Sequence, residues 1–237
     1  CVYPEKQKIK IENKGDAQTL VFTVIPPKNQ SEGLITPIVN LDGEFYTKEL
    51  IEIDYNHIPF QTVYLPSESK LVRLNIQKRG NNIGYIEGAG DVVPESLQQI
   101  GYNVTIIKPE NISADNLSEF DAIVIGIRAY NILDELKFKQ KFLLEYVKDG
   151  GNMIVQYNTS RGIKVDNIAP FDLTLSRDRV TDENAGMRIL QPNHPLLNFP
   201  NKITQKDFEG WVQERGLYFP NKWSKEYTSL FSANDKG

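Results

Sequence analysis

Apolar residues recur at every second position in two runs of the N-terminal third, Lys8-Ile-Lys-Ile-Glu12 and Lys70-Leu-Val-Arg-Leu-Asn-Ile-Gln77. In the second run Val72, Leu74 and Ile76 share one face, as in a half-buried strand. Three further strand-like runs lie between them, at 19–25, 34–39 and 44–53. Pro26-Pro27, Glu32-Gly33 and Asp42-Gly43 punctuate them, and Asp-Gly between strand-forming residues is a hairpin signal. Short strands at close spacing, with no helical period, predict an all-β immunoglobulin-like sandwich, or part of one, over residues 1–79. Lys78-Arg-Gly-Asn-Asn82 reads as a polar joint.

Beyond the joint the rhythm changes. Ile83-Gly-Tyr-Ile86 is a short buried-type strand that runs into Glu87-Gly-Ala-Gly-Asp91. Val93, Leu97 and Ile100 then fall at i, i+4 and i+7 on a helix that Asp91 can cap, that tolerates Pro94 in its first turn and that Gly101 closes. Asn103-Val-Thr-Ile-Ile107 and Asp121-Ala-Ile-Val-Ile-Gly126 are the next strands. A helix over 132–147 buries Leu133, Leu136, Leu143 and Val147, and Gly150-Gly151 ends it before the strand Met153-Ile-Val-Gln-Tyr157. Strands and helices joined this tightly predict an α/β domain over 80–237, built on a flavodoxin-like parallel sheet. From Thr159 the chain becomes polar and loop-rich, and both tryptophans lie there.

Composition narrows the function classes. The 237 residues carry a net charge of −4 and no basic run, which argues against nucleic acid and against an anionic membrane surface as partners. No apolar stretch approaches the ~20 residues of a membrane span. Cys1 is the only cysteine, so intrachain disulfides and cysteine-rich metal sites are excluded. The absence of an initial methionine reads as an excised segment or processed form, and Cys1 reads first as a segment boundary and second as a lipid-modified mature terminus.

Candidate chemistry gathers at the strand ends. Gly88-Ala-Gly90 after a strand invites a dinucleotide reading, but Val93 holds the third glycine's place. Asp91 would also set a negative charge where a phosphate needs bare amides. Tight turn geometry, with Asp91 as cap, is the better reading. Glu87 and Asp91 could form an acid/base pair, or could be solvated and capping. Arg128-Ala-Tyr-Asn131, after the third strand, could pair with those carboxylates or grip an anionic ligand. Asn158-Thr-Ser160 adds neutral hydrogen-bonding groups after the fourth. The densest charge run, Ser176-Arg-Asp-Arg-Val-Thr-Asp-Glu183, reads first as a solvated loop and second as the wall of a polyol cleft. His57 and His194 lack second ligands at metal spacing, and no Gly-x-Ser-x-Gly elbow is present, so neither a metal site nor a serine hydrolase is expected.

Several long runs carry a family resemblance: Asp54-Tyr-Asn-His-Ile-Pro59, Ile83-Gly-Tyr-Ile-Glu-Gly-Ala-Gly-Asp91, Gly126-Ile-Arg-Ala-Tyr-Asn131, Leu175-Ser-Arg-Asp-Arg-Val-Thr-Asp-Glu-Asn184, Asn193-His-Pro-Leu-Leu-Asn198 and Gly210-Trp-Val-Gln-Glu-Arg-Gly-Leu-Tyr-Phe219. From about Phe22 onward the chain resembles the C-terminal region of large secreted bacterial PIG-L/LmbE-like de-N-acetylases. The resemblance implies an upstream zinc-dependent deacetylase domain as partner, a periplasmic or extracellular location, and a chain that continues past Gly237, so that the sheet lacks its last strands. The deacetylase's His-Pro-Asp-Asp-type motif has no counterpart here, because Leu196 and Leu197 follow His194-Pro195. The α/β part is similar to class I glutamine amidotransferase-like domains, ThuA-like proteins among them. Where the active amidotransferases place a nucleophilic cysteine, this chain has Tyr157 or Asn158.

The expectation is thus a non-catalytic accessory module that binds glycan or amino-sugar material and needs no cofactor. Its crevice would be lined by Glu87, Asp91, Arg128, Tyr130, Asn131 and Asn158, with Arg177, Asp178 and Arg179 as lid residues. The alternatives are a ThuA-like enzyme using Glu87 or Asp91 as base with Arg128 stabilising developing charge, and a purely structural docking domain.

Overall fold

The computed structural model describes residues 1–210 and 216–233. The chain divides into two compact units, Cys1–Asn75 and Ile76–Gly237.

The first unit consists of antiparallel strand pairs. β1 (Val2–Tyr3) pairs with β2 (Thr23–Val24), and β3 (Ser31–Ile35) with β8 (Ser69–Arg73). β4 (Val39–Leu41) pairs with β5 (Glu44–Tyr46), and β6 (Lys48–Ile53) with β7 (Gln61–Pro66). The expected Asp42-Gly43 hairpin joins β4 to β5, with φ of 51° and 95° at the two turn residues. Positive φ at both matches the right-handed twist of the strands it connects. The run at 8–12 forms no strand: alternation supplies a face, but a strand also needs a hydrogen-bonded neighbour, and none lies beside it. β7 is an additional strand, carried by Thr62, Val63 and Tyr64. No residue of this unit is buried, and Leu34, Ile38, Phe45 and Tyr64 are 63–69% exposed. The buried layer between two sheets that defines a sandwich is not formed within these residues.

The second unit begins four residues before the expected boundary at 80 because the joint is bound to it. The Gln77 backbone exchanges two hydrogen bonds with the Asn201 side chain, at 2.9 and 2.7 Å. Lys78 lies over the Tyr102 ring and donates to the Gly101 carbonyl, and Arg79 lies over Phe199.

β9 (Asn82–Ile86), β10 (Asn103–Ile106), β11 (Ala122–Ile125) and β12 (Asn152–Val155) form one parallel sheet in the order β10-β9-β11-β12. The chain leaves β9 through α1 (Val93–Gln99) to one side, then returns to the other side at β11. The connections that follow β9 and β11 run to opposite sides of the strand order, and such a switch point is where open α/β sheets bind ligands. Alternation in the strands divides the core. Ile86, Ile123 and Ile125 pack on one face with α2 (Ala114–Leu117), α4 (Leu136–Lys148) and the loop carrying Ile163, Val165 and Ile168. Ile83, Tyr85 and Val124 face the other way, against Val93 and Leu97 of α1. Each fully buried isoleucine contributes about 1.5–3 kcal/mol.

The single helix expected over 132–147 is two, α3 (Ala129–Ile132) and α4, separated at Leu133, whose backbone is extended. The break lets Leu133 and Leu136 join the same apolar cluster. Beyond β12, β13 (Leu173–Leu175) pairs with β15 (Pro220–Trp223), and β14 (Arg188–Ile189) with β16 (Phe231–Ser232), all antiparallel.

Candidate functional site

Two loops meet at the carboxyl edge of β9 and β11. The Ala89 amide donates to the Ile127 carbonyl at 2.7 Å, and Gly126 donates to Ile86 at 2.8 Å. A side chain at Gly88 would collide with the Ile127 carbonyl, and one at Gly126 would stand 2.8 Å from the Ile86 oxygen. The glycines are therefore required by backbone contact between the two loops. A phosphate is not needed to account for them.

A buried polar chain locks this contact. Tyr85 is 1% exposed, a tyrosine in an otherwise apolar strand whose hydroxyl must find a partner. It lies 2.7 Å from both carboxylate oxygens of Asp91 and donates to that group, while Gln156 Nε2 donates to the Tyr85 oxygen at 2.7 Å. Asp91 also accepts the Val93 amide at 2.9 Å and the Ile127 amide at 3.4 Å. Asp91 thus holds the start of α1, though from the position before the cap residue Val92, and ties β9, β11 and β12 together. Burial, then the Asp91 hydrogen bond and charge, push the Tyr85 hydroxyl above the usual tyrosine range. A carboxylate with this many fixed donors is poorly placed to accept a substrate proton. Asp91 is a structural anchor.

The other expected crevice residues separate. Tyr130 is fully buried in the apolar cluster, where burial pushes its hydroxyl up to about 12. It does not line a rim, because the α3 turn points it into the core. Asn131 does face the loop after β12, but its amide is spent there: it donates to the Thr159 and Arg161 carbonyls at 3.2 and 3.0 Å and accepts the Thr159 amide at 2.9 Å. Asn158 is 5% exposed, and its Nδ2 donates to the Gln156 carbonyl at 2.8 Å.

Glu87 and Arg128 remain. Both are exposed, on the two abutting loops, and neither side chain has a hydrogen-bond or ion-pair partner among the described residues. Arg128 adopts left-handed backbone, φ 57°, while its amide donates to the Tyr157 carbonyl at 2.7 Å. A non-glycine residue held there stores strain and makes a sharp strand-to-helix elbow.

Asn158 lines a hollow of about 330 Å³ behind β12, shared with Tyr157 and residues of β13 and β15. Glu87, Asp91 and Arg128 take no part in it, so the single shared crevice expected from the sequence is two separate places. Arg177, Asp178 and Arg179 are exposed on the segment that pairs with Leu217 and Phe219, and line neither that hollow nor the one beside it.

No family model, curated protein or solved structure matches this chain. What it can do rests on its own geometry.

Among the described residues no three His, Cys, Asp or Glu side chains are placed to hold a metal ion, and no helix is long and apolar enough to cross a membrane. The His194 ring accepts the Leu196 amide at 3.3 Å, and His57 packs beside Tyr55. Tyr85, Gln156 and Tyr218 were missed as site residues. A tyrosine amid isoleucines was the available signal for Tyr85, but nothing in sequence spacing relates Tyr218 to Tyr157, whose ring centres lie 5.8 Å apart.

Proposed function

We propose that residues 76–237 form a flavodoxin-like, amidotransferase-like module that binds its ligand without converting it. The observation that carries this reading is the commitment of Asp91: three donors hold it, from Tyr85, Val93 and Ile127, leaving Glu87 and Arg128 as the free charged side chains at the β9/β11 edge. A free carboxylate and a free guanidinium on two abutting loops suit recognition of a molecule with both cationic and hydroxyl or carbonyl groups. An amino sugar fits that description, its ammonium toward Glu87 and its hydroxyls or acetamide oxygen toward Arg128. The resemblance to secreted LmbE-like de-N-acetylases supports glycan material as the ligand and the upstream deacetylase domain as the partner. The strand order, with the second strand outside the first, supports the flavodoxin-like assignment. Against the ThuA-like enzyme reading stand the tyrosine and asparagine that follow β12 and the engagement of Asp91.

The test is isothermal titration of the chain with glucosamine trimer and N-acetylglucosamine trimer, alongside a search for released acetate or altered sugar. Binding without turnover, weakened at least tenfold by Glu87→Gln and by Arg128→Ala, is the expected result. Turnover, or no binding of either trimer, overturns it.

The docking alternative has its own observation in residues 1–75, whose exposed Leu34, Ile38, Phe45 and Tyr64 leave an apolar surface uncovered. On this reading that unit packs against the deacetylase domain.

A further inference from the structure

We propose that the free edge of β12 is a strand-docking slot, which takes an extended, uncharged segment of a partner polypeptide as an added β-strand. It does not depend on Glu87 or Arg128.

β12 is the last strand of the parallel sheet and pairs on one side only, with β11. The Gln156 amide donates to the Ile125 carbonyl at 3.0 Å, so Gln156 and Ile154 turn their main-chain groups toward β11. Direction alternates along a strand, and Met153 and Val155 therefore turn theirs outward. Neither finds a hydrogen-bond partner there among the described residues. An edge of this kind is a template for another strand, and proteins commonly blunt it with charge, proline or a bulge. Asn152–Val155 carries none of these. Ile154 shows the same gap from one face: it is 57% exposed, whereas Val124, its neighbour in register on β11, is 4% exposed.

The hollow of about 330 Å³ lies along that edge. Val155 and Gln156 both line it. Consecutive residues point to opposite faces of a sheet, so a space that touches both lies beside the strand rather than over one face. β13 borders the same space and has a free edge of its own. The Ser224 amide donates to the Asp172 carbonyl at 2.9 Å, and the register then directs Thr174 at β15 and turns the main-chain groups of Leu173 and Leu175 away from it. Both leucines line the hollow, and neither has a main-chain partner on that side among the described residues. An added strand would pair these donors and acceptors and cover Ile154.

The walls select what that strand carries. Leu173, Leu175, Leu217 and the tilted Tyr157–Tyr218 pair line the hollow, and no lining residue is charged. A charged side chain would lose its hydration there without gaining a counter-charge. In strand addition the main-chain bonds supply affinity and pockets for alternate side chains supply specificity. A slot bordered by strands on both sides admits a single extended segment, not the sheet edge of a second folded copy.

The test titrates the unaltered chain with three blocked pentapeptides, read by calorimetry and by NMR hydrogen exchange. The first is Ac-Thr-Val-Thr-Val-Thr-NH2, the second has two alternate amides N-methylated, and the third has both valines replaced by aspartate. The first should bind, the second at least tenfold more weakly for want of main-chain donors, and the third not at all. In the complex, exchange of the Met153 and Val155 amides should slow at least tenfold. Leu173→Lys, which sets a charge in the slot, should abolish binding. If that variant does not fold, the three-peptide comparison still decides. Equal binding of the first two peptides would mean that the hollow takes side chains without a strand and would overturn the proposal. So would unslowed exchange at Met153 and Val155, or no binding at millimolar concentration. Self-association of the chain with those amides already protected would give the edge to a second copy and overturn it too. Amino-sugar binding at Glu87 and Arg128 is read separately, by trimer titration of Glu87→Gln.

Discussion

Replacing Tyr85 by phenylalanine tests whether the polar chain at the β9/β11 edge holds the fold together. The substitution keeps the ring that packs beside Ile83 and Val124 and removes only the hydroxyl. That hydroxyl donates to a carboxylate at 2.7 Å and accepts from Gln156 at 2.7 Å. A hydrogen bond to a charged acceptor contributes about 1.5–3 kcal/mol. Gln156 is only half-buried, so its freed amide can turn to water and adds little. The expected loss is about 2 kcal/mol, or roughly 4–8 °C in Tm for a unit of this size. Urea unfolding should show a lower midpoint at an unchanged slope. In a double-mutant cycle with Asp91→Asn, the coupling should be at least about 1 kcal/mol. A loss below about 0.5 kcal/mol, or additive effects of the two substitutions, would refute the role given to Asp91. The same hydroxyl should shape the alkaline limb. Unfolded tyrosine ionises near pH 10, whereas folded Tyr85 ionises later, so above about pH 10 the unfolded chain loses its proton first. Stability should therefore hold up to that pH and fall beyond it, and Tyr85→Phe should flatten the fall.

Tyr130, pushed up to about 12 by burial, has the same sign, so Tyr130→Phe should remove a further part of the alkaline loss in urea titrations at pH 9 to about 12. At the acid end, Asp121 is held below the usual carboxylate range by the Asn81 and Asn82 amides, at 2.8 and 2.9 Å. Its contribution is present above about pH 4 and lost as pH falls through the lowered value, so Asp121→Asn should make acid unfolding less steep. Gly88→Ala should cost more than about 2 kcal/mol in thermal melts because the methyl meets the Ile127 carbonyl, whereas Gly186→Ala, with nothing within 4 Å, should stay within about 0.5 kcal/mol. Asn131→Ala should cost about 1–3 kcal/mol and raise amide exchange at Thr159, whose N–H it caps.

The parallel sheet was legible because its signals are local. Runs such as Ile83-Gly-Tyr-Ile86 and Ala122-Ile-Val-Ile125 are too apolar to face water on either side, and Gly101 and Gly150 stop helices by conformation alone. The Asp42-Gly43 hairpin was legible for the same reason. The N-terminal strands were legible only as pairs: alternation names a face but not what covers it, and residues 1–75 bury nothing of their own.

The site was less legible. Sequence position placed Glu87, Asp91, Arg128 and Asn158 at strand ends, which follows from parallel topology. It could not assign their partners, because hydrogen bonds join residues far apart in the chain: Gln156 to Tyr85, Asn131 to Thr159, Ile127 to Asp91. Periodicity determined which elements form and in what order, since it depends on neighbours a few positions away. Tertiary packing alone decided that Asp91 is spoken for, that Tyr130 is core and that Asn158 faces an apolar hollow. A side chain's chemistry is set by what touches it in space, and in this fold those contacts come from loops that the sheet brings together across dozens of residues.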